Sequence, residues 1–94
     1  MRLPSEQIIL LKEKLFSLSS EAQLYLFGSR NDDTKRGGDI DLLVVSSKLT
    51  KKDLRFLRIE FFKQFGEQKI DIVLDNGEFK DPFIKLIFQK AVIL

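Results

Sequence analysis

The sequence predicts an α/β (α+β) fold: a small mixed β-sheet of about four strands with helices packed against it. Three observations predict it. Ninety-four residues allow one core, since a chain this short buries only about 60–65% of the surface its unfolded form exposes. Segments of helical period alternate along the chain with short runs of β-branched and apolar residues. Apolar residues make up 44% and charged residues 32%, with five Gly and two Pro, a folded rather than a disordered composition. A single domain over residues 1–94 is expected.

Pro4-Ser5-Glu6 marks the first helix start, with Pro4 preorganised for a first turn or Ser5 as cap. Ile8, Leu11, Leu15 and Leu18 then recur at helical spacing, Ile9 and Phe16 widen the stripe, and Leu10 points the other way. Ala22 to Phe27 reads as a buried strand that Gly28 stops. Residues Gly28 to Gly38 form a polar stretch rich in Gly, Asp and Arg, the kind of loop that carries function. Asp39 to Val45 reads as a central strand. Thr50-Lys51-Lys52-Asp53 has the form of a capping box, and the helix behind it runs to Phe65 with Gly66 closing it. Leu54, Leu57, Phe61, Phe62 and Phe65 share its inner face, with Phe56 and Ile59 roughly opposite. Those two form a modest patch for a homologous subunit or another chain, unless the helix rolls or packs against the terminal helix and buries them.

Lys69 to Leu74 is a third strand, ended by Asp75-Asn76-Gly77. Asp81-Pro82 pairs an N-cap with a first-turn Pro and opens a short helix through Phe83, Ile84, Ile87 and Phe88. Val92-Ile93-Leu94 closes the chain as a fourth strand rather than as a helix end. The order is α-β-loop-β-α-β-α-β.

The absence of Cys and His removes disulfides, thiolate and imidazole metal ligands and the imidazole base. Side-chain acid–base or metal chemistry falls to carboxylates, hydroxyls, Lys, Arg or Tyr25. The absent Cys fits a cytoplasmic protein, and no apolar run approaches membrane-spanning length. The net charge of +2, from 16 basic and 14 acidic residues, is too mild to call for nucleic acid. Lys48, Lys51 and Lys52 form a basic run, but a solvated helix start explains them.

Asp39 and Asp41 lie two apart on a strand, so their side chains share a face at roughly 6–7 Å between Cβ atoms. At that spacing two carboxylates converge on one hard cation, and Mg²⁺ removes the cost of placing them together. Asp71 sits likewise between Ile70 and Ile72. Taken singly, Asp39 serves equally well as a cap on the preceding turn, and Asp71 as a solvent-face residue. Three acids facing one way on neighbouring strands would form a metal and general-base cluster. Gly28-Ser29, directly after a strand, offers either a backbone nest for phosphate or a plain turn. Arg30 adds a fork of donors for a phosphate oxygen. Neither a P-loop nor a dinucleotide fingerprint is present.

Together these residues resemble a known family. Leu26-Phe27-Gly28-Ser29-Arg30, the spacer through Gly38, then Asp39-Ile40-Asp41-Leu42-Leu43-Val44 and later Lys69-Ile70-Asp71-Ile72 are similar to the signature of the minimal nucleotidyltransferases, within the DNA polymerase β-like nucleotidyltransferase superfamily. The resemblance implies the nucleotidyltransferase fold. It implies that Gly28 and Ser29, with Arg30, hold the triphosphate of ATP, and that Asp39 and Asp41 hold divalent metal, Mg²⁺ or Mn²⁺. Asp71 would complete the metal site and help activate the attacking hydroxyl. It also implies a helical HEPN-type toxin partner encoded nearby, silenced when AMP is transferred from ATP onto one of its tyrosines. This chain would then be the antitoxin, in a homo- or hetero-oligomer. Many minimal members read Gly-Ser-Arg-Ala-Arg-Gly; here Asn31, Asp32 and Asp33 follow Arg30, and Gly38 stands where Ser is frequent. Transfer to a small molecule or an RNA end, and a binding antitoxin without chemistry, are the alternatives. A pure mask gains nothing from clustered acids.

Overall fold

The computed structural model describes residues 3–27, 40–66 and 69–94. The elements follow the predicted order: α1 (Ser5–Leu18), β1 (Gln23–Phe27), β2 (Ile40–Val45), α2 (Lys51–Phe65), β3 (Ile70–Asp75), α3 (Pro82–Lys90) and β4 (Val92–Ile93). They build one four-stranded sheet in the order β3-β2-β1-β4. β1 runs antiparallel to both β2 and β4, whereas β2 and β3 are parallel. A parallel pair needs a crossover, and α2 supplies it.

Alternation along the strands divides the sheet into two faces. Leu24, Leu26, Ile40, Leu42, Val44 and Ile70 are buried on one face and share a core cluster with Leu11 and Leu15 of α1 and Leu54, Leu57 and Phe61 of α2. α3 packs on the opposite face, where Phe88 meets Tyr25 edge-to-face at 5.1 Å between ring centroids. Leu43 and Ile84 are buried there. At the chain end, a fourth strand forms, as expected; it pairs with β1, and Leu94 N–H donates to Leu24 O at 2.9 Å.

The termini of the helices follow their local chemistry. Asp53 accepts hydrogen bonds from Thr50 N–H at 2.9 Å and from the Thr50 hydroxyl at 3.2 Å, which completes the predicted capping box. Gly66 ends α2 with φ +81°, a value that favours glycine. Asp81 caps α3 through Phe83 N–H at 2.9 Å, with Pro82 in the first turn. At α1 the cap is Pro4 itself, with φ −56° and ψ 143°. Pro4 therefore stands outside the first turn, and Ser5 is helical rather than the cap.

Three expected packing assignments change. Ile9 and Phe16 are 55% and 41% exposed, so they do not widen the buried stripe of α1. Leu10 is half-buried and packs against the core. The cause is α2, which lies along that side of α1: Lys14, one turn on from Leu10, reaches Glu60 of α2 at 3.5 Å. Phe62 is 39% exposed; it lies about 80° around the helix from Leu54, at the margin of the buried arc. Phe56 and Ile59 are exposed, as expected.

Candidate active site

The parallel register sets Ile40 beside Ile70, Asp41 beside Asp71 and Leu42 beside Ile72. Directly adjacent residues of neighbouring strands point to the same face, with strands about 4.8 Å apart. Ile40 and Leu42 turn into the core, so Asp41 and Asp71 share the opposite face. Asp41 is half-buried and Asp71 exposed. The antiparallel register brings Phe27, the last residue of β1, opposite Asp41. The end of β1 and the starts of β2 and β3 therefore meet at one end of the sheet, and the two carboxylates stand there.

The local sequence accounts for this placement. In Ile40-Asp41-Leu42-Leu43-Val44 the even positions are large and apolar and lock onto the helices, which leaves Asp41 no route into the core. Ile70-Asp71-Ile72 repeats the pattern on β3. Deeper along the same face, Leu43 is fully buried, so apolar packing lies behind the acids.

Of the residues expected to form the site, Asp41 and Asp71 are brought together. Gly28, Ser29, Arg30 and Asp39 lie outside the described residues, in the segment that joins Phe27 to Ile40. Among the described residues no group of three Asp, Glu, His or Cys stands close enough to hold a metal ion. Two aspartates on adjoining strands nonetheless present only hard oxygen donors, which suit Mg²⁺ or Mn²⁺ rather than a softer ion.

The far end of the strands holds other carboxylates with a different task. Asp75 is buried and accepts from Gly77 N–H at 2.7 Å and Phe79 N–H at 3.2 Å, which ties down the turn after β3. Phe79 there has φ +54°. Glu21 accepts from the hydroxyls of Ser46 and, at 3.0 Å, Ser19. Ser46 in turn accepts from Lys48 N–H at 3.1 Å and Leu49 N–H at 3.3 Å. The Ser46 hydroxyl, then Ser19 and Lys48, hold the Glu21 carboxyl below its ordinary value against the opposing effect of burial. This network joins the α1–β1 turn to the β2–α2 turn, and no spacing in the sequence signals it because its partners are 25 residues apart.

Comparison with known proteins identifies one family. A family model described as a nucleotidyltransferase domain matches residues 8–94, from the first half of α1 through β4. No curated protein matches the chain.

Proposed function

We propose that this chain, which belongs to the nucleotidyltransferase domain family, transfers AMP from ATP to a tyrosine hydroxyl of a helical HEPN-type partner protein and acts as the antitoxin of that pair. Family membership supports nucleotidyl transfer as the class of chemistry. The observation that carries the site assignment is the register of Asp41 with Asp71 beside the end of β1.

In this reading the acceptor hydroxyl attacks the α-phosphorus of ATP. The new bond joins that oxygen to phosphorus, the bond to the β-phosphate bridging oxygen breaks, and pyrophosphate leaves. Asp71 takes a position beside the acceptor, where its carboxylate orients the hydroxyl and receives its proton. Asp41 and Asp39, together with Asp71, would hold a divalent cation. Gly28 and Ser29 hold the triphosphate with backbone N–H groups and a hydroxyl, and Arg30 adds donors. Mg²⁺ or Mn²⁺, when bound, neutralises phosphate charge and lowers the pKa of an oxygen it touches. With no histidine in the chain, carboxylates carry the proton transfer.

Residues 1–94 act as one domain in the cytoplasm, and the partner supplies the acceptor pocket. Among the described residues no helix is long and apolar enough to cross a membrane.

Co-expression with the neighbouring helical protein, followed by mass spectrometry, tests the reaction. Wild-type chain should leave AMP on a partner tyrosine, and Asp71→Asn should reduce the modified fraction by more than about 10²-fold. An unmodified partner beside folded wild-type chain, or equal modification by the variant, would contradict it.

A further inference from the structure

β3 forms one edge of the sheet. Ile40 N–H donates to Lys69 O at 3.0 Å, and Ser46 N–H donates to Asp75 O at 2.9 Å. In a parallel pair the N–H and C=O of one residue point to the same side, and successive residues alternate. The odd-numbered residues of β3 therefore face β2, and Ile70, Ile72 and Leu74 turn their backbone groups to the open edge. No described strand pairs with that edge.

A cleft of about 530 Å³ lies against this edge, between α2 and the start of α3. Ile72, Leu74 and Phe83 give it an apolar wall, and Phe83 is 56% exposed. Lys51, Arg55 and Arg58 line its α2 side. At 100° per residue the three fall within about 60° of the helix circumference, so they form a row. None of them makes an ion pair with a described residue. A cation at Lys51, in the first turn, is unfavourable for the helix dipole, so Lys51 does not serve α2 itself. One acid, Asp81, also lines the cleft, but its carboxylate is engaged by Phe83 N–H.

We propose that this edge docks an extended acidic segment of a partner protein, which pairs with β3 as an additional strand and sets alternate carboxylates against Lys51, Arg55 and Arg58. Main-chain hydrogen bonds to Ile70, Ile72 and Leu74 supply affinity, and the cation row selects the sequence. The charge argues against a second copy of this chain, because pairing β3 with β3 would press two identical cation rows together. Nucleic acid would engage the cations but leave the outward amides and the apolar wall unused. β3 carries Asp71 near its start, so a docked segment is delivered to the acid pair; docking itself does not depend on transfer.

Fluorescence anisotropy on the full chain tests the proposal without any catalytic step. The probes are fluorescein-labelled capped octapeptides, one alternating Glu and Val and one of Glu alone, and an oligothymidylate of similar length. Saturable binding is expected for the Glu–Val peptide in preference to the others. The double change Arg55→Glu and Arg58→Glu should weaken it about tenfold, with an unchanged circular-dichroism spectrum. Amide shifts of the wild-type chain should concentrate on Ile70, Ile72 and Leu74. Three results would overturn the proposal: no saturable binding of the Glu–Val peptide, equal binding of either other probe, or amide shifts centred elsewhere. The last is read on the wild type, so it decides the matter even if the double variant does not fold.

Discussion

Two aspartates on the same strand stand in opposite settings. Asp75 is buried and spends its carboxylate on the N–H groups of Gly77 and Phe79, whereas Asp71, four residues earlier, is exposed beside Asp41. Their flanks explain why one was legible and the other was not. Ile70-Asp71-Ile72 places an acid between two apolar residues, so alternation alone puts Asp71 on the face away from the core. Asp75 stands at a strand end before Asn76-Gly77, where acids are ordinary turn formers. Glu21 was illegible for a different reason, because its meaning depends on Ser46 across the fold. Its lowered pKa, caused first by the Ser46 hydroxyl, makes it a contributor to stability. The folded-state pKa lies below the unfolded value of about 4.5, so this contribution is complete above that pH and fades as pH falls through the folded value. Urea unfolding at neutral and acid pH should therefore show a smaller acid loss in Glu21→Gln than in wild type. Parallel losses in the two would contradict the role of the network.

Helix boundaries were read from local chemistry and mostly hold, because caps act within a few residues. Thr50 with Asp53, Gly66, and Asp81 with Pro82 all stand where the sequence placed them. Asp81→Ala should cost about 0.5–2 kcal/mol in urea or thermal unfolding, through the lost cap on α3; an unchanged midpoint would show that Pro82 alone sets the start. Helix faces were less legible, since periodicity gives an arc but not which neighbour lies beside it. Leu10 is half-buried because α2 lies along that side of α1, a fact recorded in the Lys14–Glu60 pair and not in the pattern. On α2 the inner and outer faces are sharply distinct. Phe61 is fully buried and meets Phe65 with tilted rings at 5.0 Å between centroids, while Phe56 is 39% exposed. Phe61→Ala should cost about 3–5 kcal/mol. Changing Phe56 and Ile59 together to Ser should leave the circular-dichroism spectrum native and stability within about 1 kcal/mol. Comparable losses from both would mean that α2 is turned differently against the sheet.

At the scale of the whole molecule, the element order was legible from alternating periods, and the strand order was not. Local pattern contains no instruction that β3 pairs in parallel with β2, that β1 lies between β2 and β4, or that α3 covers the face opposite α1 and α2. Those are decided by long-range burial, and they turn two separate aspartates into neighbours. The resemblance to minimal nucleotidyltransferases implies that Asp39, Asp41 and Asp71 act together; the register sets Asp41 beside Asp71. The remaining candidates, Gly28, Ser29, Arg30 and Asp39, lie outside the described residues. In the proposed reaction the acid end of the sheet, and not its far end, would bind the metal–nucleotide pair. Ser46 and Asp75 mark that far end, five and four residues along their strands from the acid pair, or about 13–17 Å at the rise of a strand. Paramagnetic broadening of amide resonances by Mn²⁺ in the presence of ATP measures the location directly. Selective loss of the Phe27, Asp41 and Asp71 signals is expected, with sharp signals at Ser46 and Gly77 and no selective loss in Asp41→Asn. Broadening centred on Asp75 and Gly77, or an unaltered pattern in Asp41→Asn, would contradict it.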